Sequence, residues 1–532
     1  FASNPGSAEK DTATTPVSPP PVEQAPVLNQ NGPDSHESQD GQNGQNGQNG
    51  QNGQDEQAAT PVSPPPPDAK GAHGDHHATE SHGKKGHSSR LSDEHIPLRT
   101  DLVPARPKPI LELGEPFLGT GVLHPGYELP TGAVWQPALI VFGTLRTAVQ
   151  SNGYNPALGD ARTSEAVARL DLFANLALSG SERLVLGFRN LDRDSVFSGH
   201  IFESDSLEEG SSDGLNADLG TLFFEGDIGE IFPRLSPRDF GPSDIGFSVG
   251  RQPLFFQEGM LINDSVDGLG LTLNSLQPRN TSNLRTTFFY GWGNVDRNGI
   301  NDNTGQLFAL LTSVDRRKST IDVDLAYSSG EDGYASMSGF GISAVQRFGF
   351  LNSSFRVLGS SIDNPSTIDD TNGDAPTPEI KDDGLLFFSE LSWTPHGTHN
   401  LIYFNAFYAL DSYTPIAQGA GFGGALGRAG INFAGVGIGN YGAPLSPQAR
   451  DVAGGALGYQ FFFDGTRKQL LLELAGRVGL EDAIQDQFGF TGRYQMAVGH
   501  HCVWVVDAFV NRQESFDDDN FFGGRLELQV SF

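Results

Sequence analysis

The sequence predicts an all-β chain: a single transmembrane antiparallel β-barrel of about 18 strands (16–18), preceded by a disordered N-terminal segment rich in Pro, Gln, Asn, Gly and His. Three observations predict it. From Trp135 onward, apolar and polar residues alternate over stretches of about ten residues, the length that crosses a membrane at a tilt. The connections between these stretches sort into short turns and long loops. The sequence closes on NFFGGRLELQVSF (520–532), a regular alternating strand whose edge must be met by an earlier strand.

Residues 1–95 are expected to form the disordered segment, 96–134 a Pro-rich connector, and 135–532 the barrel. Residues 2–116 contain no aromatic side chain and include GQNGQNGQNGQNGQ (41–54) and the near-copies TPVSPPPV (15–22) and TPVSPPPP (60–67). Such a stretch has too little apolar surface to offset the entropy of ordering it. Its end, GAHGDHHATESHGKKGH, carries His73, His76, His77, His82 and His87. These imidazoles are candidate ligands for Zn²⁺, Cu²⁺ or Ni²⁺, weighed against a solvated linker that holds them in no fixed geometry. The connector is too apolar for the disordered tail and too Pro-rich for a strand, and nothing in it fixes its place.

Composition narrows the class. The formal net charge is −31 and there is one cysteine, Cys502, in 532 residues. An acidic balance argues against nucleic acid as a partner, and one cysteine excludes an internal disulfide framework. No run reaches the roughly 18 apolar residues of a membrane helix. The first residue is Phe1 rather than Met, from which a processed, exported chain is expected.

In TIDVDLAYS, Ile321, Val323, Leu325 and Tyr327 face one way and Asp322 and Asp324 the other. AVARLDLFANLAL, KQLLLELAGRVGL and QFGFTGRYQMAV repeat the pattern, with Arg169, Asp171, Glu473, Arg477 and Arg493 on the polar face. A long sheet with one exposed apolar face aggregates in water, whereas lipid requires that face and requires the sheet to close. The terminal strand is therefore expected to pair with ALIVFGTLRTAV (138–149).

Short turns are read at 179–182, 277–283, 315–319, 347–353, 394–400, 464–468 and 499–501, with a looser one at 233–243. Long loops are read at 191–218, 360–384 and 514–520. Several turns, such as DRRKS and DGTRK, are basic, while the long loops are acidic. Alternation of this kind puts both barrel ends on the short-turn side.

With these features the chain resembles the porin-like outer-membrane β-barrels of Gram-negative-type bacteria. Leu526, Leu528, Val530 and Phe532 resemble the C-terminal signal read by the barrel-assembly machinery. SGSERLVLGFR (179–189) and VGRQPLFFQEGMLINDSVDG (249–268) look like porins of the alginate-export kind. The resemblance implies an outer-membrane protein, with the N-terminal segment in the periplasm, that lets small hydrophilic solutes or ions diffuse passively. It implies no enzyme activity and no cofactor.

The lumen face would then carry Arg169, Asp171, Arg183, Arg189, Arg285, Asp322, Asp324, Arg356, Glu390, Glu473, Arg477, Arg493, Arg525 and Glu527. Rows of both signs at a constriction orient water and solute and select ions; alternatively they pair across strands and stiffen the wall. The Gly-rich, nearly uncharged connection 411–451 is expected to fold inward and narrow the pore, unless INFAGVGIG (431–439) is itself a strand. Acidic loops should gather cations at the mouth and hold divalent cations weakly. DRNGIND (296–302) and DDTNGD (369–374) echo calcium loops without the full spacing. Three other classes are weighed: a non-conducting structural or adhesive barrel tethered through its tail to a periplasmic cell-wall component; a barrel enzyme, for which no nucleophile or HExxH spacing is present; and a soluble exported β-protein such as a sandwich array or propeller, which the lack of a blade-length repeat in the β region weakens.

Overall fold

The computed structural model describes residues 108–114, 125–153, 162–193, 196–234, 244–297, 300–302, 305–329, 336–363, 383–419, 423–481, 484–513 and 520–532. The expected disordered segment, with the five histidines read as candidate metal ligands, lies outside these residues. So do DDTNGD (369–374) and most of the loops at 360–384 and 514–520.

Eighteen antiparallel strands close into one barrel. They are β1 (Ala138–Asn152), β2 (Thr163–Ala177), β3 (Arg183–Arg189), β4 (Leu219–Asp227), β5 (Ile245–Phe256) and β6 (Ile262–Leu276). Next come β7 (Asn283–Gly293), β8 (Gln306–Arg316), β9 (Ser319–Ser329), β10 (Ser336–Phe348), β11 (Leu351–Asp363) and β12 (Gly384–Trp393). The circuit is completed by β13 (Leu401–Tyr413), β14 (Ala449–Phe463), β15 (Lys468–Gly479), β16 (Gln487–Val498), β17 (Cys502–Gln513) and β18 (Asn520–Ser531).

Closure occurs where the pattern places it. β18 pairs with β1 from Gly523↔Asn152 to Ser531↔Thr144. Phe532 adds a last rung, with its N–H 3.0 Å from the Gly143 carbonyl and its own carbonyl 2.8 Å from the Gly143 N–H. Beyond that rung, Leu111–Leu113 of the connector takes the vacant edge of β1 opposite Leu139–Val141. Tyr127–Glu128 and Val134–Trp135 form a small hairpin nearby in sequence. Part of the connector is thus a strand extension that finishes the ladder below the C-terminal residue.

The short turns fall between β2 and β3, β6 and β7, β8 and β9, β10 and β11, β12 and β13, β14 and β15, and β16 and β17, as the sequence predicts. One connection at the opposite end differs from its expected length. β5 and β6 are joined by only 257–261, because this hairpin turns into the lumen instead of arching over the rim. Gln257 and Glu258 hold φ of 52° and 56°, and Gly259 follows at 78°, so two non-glycine residues share the left-handed turn with one glycine. INFAGVGIG (431–439) is no strand; it belongs to the long inward connection.

β3 and β4 each continue upward as separate pieces. Val196–Ser204 runs along β2, and Gly210–Ser212 pairs with Gly199–Ile201. Leu325, Leu474, Phe488 and Leu526 project outward and are about half exposed in the isolated chain. Aromatic rows mark both ends of this belt: Tyr290, Phe308 and Tyr327 at the long-loop end, Tyr459, Phe461 and Phe463 at the other. An apolar band between aromatic girdles is what a lipid-facing barrel requires.

Candidate functional site

Every second residue of a strand points into the barrel. In the long-loop half those positions pack on the connection between β13 and β14, which folds inward. Its buried Leu426, Phe433, Leu445 and the wall's Leu307, Leu358 and Leu386 form one apolar cluster. Val436, Ile438 and Tyr441 form a second with Ala148, Val167, Phe197 and Phe509. The inward path was legible in the connection's near-absence of charge: Arg428 is the single charged residue of 414–448. A segment this apolar is stabilised in a core and not on a rim.

Wall side chains grip the segment by its backbone. Arg146 on β1 donates to the Val436 carbonyl (2.8 Å), Arg169 on β2 to Gly437 (2.9 Å), and Gln150 to Ile438 (2.8 Å). Asn405 on β13 donates to Ala429 (2.9 Å), and Arg477 on β15 to Ser446 (2.7 Å). Asn511 on β17 donates to the Pro444 carbonyl. Glu473, fully buried on β15, accepts from the Ile431 N–H (2.9 Å), the Asn432 N–H and Asn432 Nδ2 (both 2.8 Å), and the Tyr403 hydroxyl. Glu165 accepts from the backbone N–H and side-chain amide of Asn440. Gly430 packs so closely on Glu473 that a Cβ there would collide with its carboxylate.

A charged row runs across the same wall. Arg493 Nε lies 2.8 Å from Asp507 Oδ1, and Arg525 Nε lies 2.9 Å from Asp507 Oδ2. Arg525 also pairs with Glu527, which meets Arg146 Nε at 2.6 Å. Arg169 pairs with Asp171 at 2.9 Å. Arg146 and Arg169 sit directly opposite each other on β1 and β2, a like-charge pair that would repel. Each is neutralised by its own carboxylate and spends a remaining donor on the segment. Arg189 stands opposite Asp171 at the end of the row.

A second cluster joins the two inward connections. Arg428 lies 2.9 Å from Glu258 and 3.6 Å from Glu390, and Arg356 pairs with Glu390 and approaches Glu258 at 3.7 Å. Tyr413 donates to the Met260 carbonyl (2.8 Å), and Gln257 to Asp324 (2.7 Å). The short-turn half is different. There Arg183 pairs with Glu225, Asp322 accepts from Ser313 (2.7 Å) and Ser343 (2.8 Å), and Arg285 stands beside Ser313 on the same inner face. That half is a polar vestibule below the packed half.

All fourteen residues expected on the lumen face occupy inward positions. The structure brings Arg169, Asp171, Arg189, Arg493, Arg525 and Glu527 into one row, and Arg356 and Glu390 into the second cluster. Glu473 and Arg477 hold the inward segment. Arg183, Arg285 and Asp322 belong to the vestibule, while Asp324 receives the β5–β6 hairpin. Leu526, Leu528 and Val530 face outward on β18. Sequence reading passed over Arg146, Glu165, Asp507, Glu258 and Arg428. Arg146 and Asp507 carried a usable signal, each a lone charge on the inward phase of an apolar strand.

The fold and this inner wall define a porin-like β-barrel of the outer-membrane type. No protein-family model matches the chain, and no curated protein matches it in sequence. Among solved structures, a BenF-like porin from Pseudomonas fluorescens Pf-5 is similar at TM-score 0.50 and 11% identity, over 74% of this chain and 98% of that one. Pseudomonas aeruginosa OccK2 (OpdF) aligns at TM-score 0.48 and 12% identity, over 74% and 98% of the two chains. Escherichia coli Wzi, described as a carbohydrate-binding β-barrel involved in capsule assembly, aligns at 0.42 and 10% identity, over 73% and 84%.

Proposed function

We propose that the chain is an outer-membrane porin, a passive conduit for small hydrophilic solutes or ions and not an enzyme, whose aperture is set by the inward segment 414–448. The observation that carries this reading is the combination of an apolar outer belt with an inner wall that devotes charged side chains from several strands to holding one segment across the lumen. Solutes would gather in the polar vestibule and pass beside the inward segment, which the buried charged row holds in place. Leu526, Leu528, Val530 and Phe532 would serve the assembly machinery, and the N-terminal segment would lie in the periplasm with the short turns.

A second reading has its own support. Glu473 and Glu527 are completely buried, and Arg169 and Arg525 nearly so. A barrel this well packed in its long-loop half could be a closed, structural one. Single-channel recording of the full chain in a planar bilayer under a salt gradient separates the two. Discrete steps with a reproducible reversal potential support the porin. An inserted, β-rich protein that passes no current supports the closed barrel.

A further inference from the structure

The wall of the barrel is not laddered throughout. β4 and β5 are paired from Asp227↔Gly246 up to Leu222↔Arg251. Above that rung β5 continues through Phe256, bonded along one edge to β6, while no strand among the described residues meets its other edge. The chain of β4 leans the other way: Leu219 pairs with Phe188 across a register shift, and Gly210–Ser212 follows Gly199–Ile201. The two parts of the wall separate toward the long-loop end.

The residues of β5 suit an open edge. Successive residues turn their backbone groups to alternate edges, and the β6 ladder runs unbroken through Pro253↔Ser265. Pro253, which has no N–H, therefore turns its nitrogen and its carbonyl to the gap, as Phe255 does. The open edge presents carbonyls at both residues but an N–H only at Phe255. At the foot of the gap Gly250 holds φ +122°, and a Cβ there would strike the Leu222 carbonyl and Phe223 Cα.

On the outer face, the foot of the gap is a recess of about 330 Å³ lined by Leu219, Leu222, Gly250, Arg251, Asp267 and Trp292. Arg251 and Asp267 face outward with Leu222, Val249 and Leu271, and pair through Nε (2.9 Å) and Nη2 (2.8 Å). Arg251 Nη1 also donates to the Leu219 carbonyl (3.2 Å). Trp292 adjoins Tyr290 of the aromatic row, which puts the recess at the depth of a membrane interface. Hydrocarbon alone would leave the open edge and the ion pair poorly solvated.

We propose that this gap binds one lipid of the surrounding leaflet, of the glycolipid class. Its acyl chain lies on Leu219, Leu222 and Trp292. Its hydroxyl-rich headgroup donates to the Pro253 and Phe255 carbonyls and accepts from Arg251. An edge with more acceptors than donors selects hydroxyls over the donor-free phosphocholine headgroup. The inference rests on the membrane reading but not on conduction.

The test uses the full chain in nanodiscs of phosphatidylcholine containing a small fraction of diglucosyl diacylglycerol brominated on its acyl chains, which quench tryptophan on contact. Two variants are compared, one retaining only Trp292 and one only Trp504, an outward residue near the opposite rim. Glycolipid quenching of Trp292 should exceed that of Trp504 by about fivefold or more, the factor one net hydrogen bond supplies, and the excess should shrink by about that factor in R251A/D267A, which keeps the Pro253 and Phe255 carbonyls. Brominated phosphatidylcholine should quench both alike. Parity with the glycolipid, a preference undiminished in R251A/D267A, or an equal preference for phosphatidylcholine overturns the assignment. Absence of quenching at both tryptophans by either lipid overturns the membrane reading with it.

Discussion

Replacing Glu473 with Ala tests how the inward segment is held. The Glu473 carboxylate receives three N–H donors of Ile431 and Asn432 at 2.8–2.9 Å, and the Tyr403 hydroxyl. A hydrogen bond to a charged group contributes about 1.5–3 kcal/mol. The separate losses do not add, because water enters the vacated site and the grips of Arg146, Arg169 and Asn405 remain. A local loss of about 3 kcal/mol is expected, which raises the open fraction of this stretch about a hundredfold. Amide hydrogen exchange of the detergent-solubilised barrel reads this directly. Peptides spanning 429–434 should exchange about two decades faster in E473A, while β9 keeps its protection. Unchanged exchange at Ile431 and Asn432 would refute the reasoning, since their N–H groups would then be protected by something other than this carboxylate.

Other outcomes follow from the same contacts. Gly430→Ala should loosen the same peptides without removing a charge, because its Cβ displaces the Glu473 carboxylate; exchange mass spectrometry checks it. Arg428→Gln removes the pairs to Glu258 and Glu390, both partly exposed, so unfolding in urea should shift by about 1 kcal/mol or less, while single-channel current should become noisier. Deleting Phe532 removes the rung to Gly143, and folding into vesicles, followed by circular dichroism, should slow relative to wild type. Lowering the salt from about 1 M to about 0.1 M lengthens screening from about 3 Å to about 10 Å. The acidic long-loop end should then make the reversal potential more cation-selective, and a salt-independent potential would remove the loops from the selectivity account.

The strands were legible because lipid outside and a polar wall inside impose a period of two over strands long enough to cross a membrane. TIDVDLAYS reads directly onto β9, and DRRKS onto the turn before it. The inward connection was legible in its glycines and its missing charge. Its partners were not, since contacts such as Arg146 to Val436 span 290 residues and have no local signature. The β5–β6 hairpin was hidden because Gln257 and Glu258 take left-handed backbone angles that sequence assigns to Gly or Asn. Pro253 did mark an edge, but an edge within a closed barrel is expected only once the ladder of β4 is seen to stop.

The central claim, that segment 414–448 occupies the lumen and sets the passage, is tested most directly by comparing single-channel conductance of the wild type with that of a barrel lacking 415–445. The account predicts a clearly larger conductance in the deletion variant, with unchanged β-sheet circular dichroism. Equal conductance in a correctly assembled barrel would contradict it.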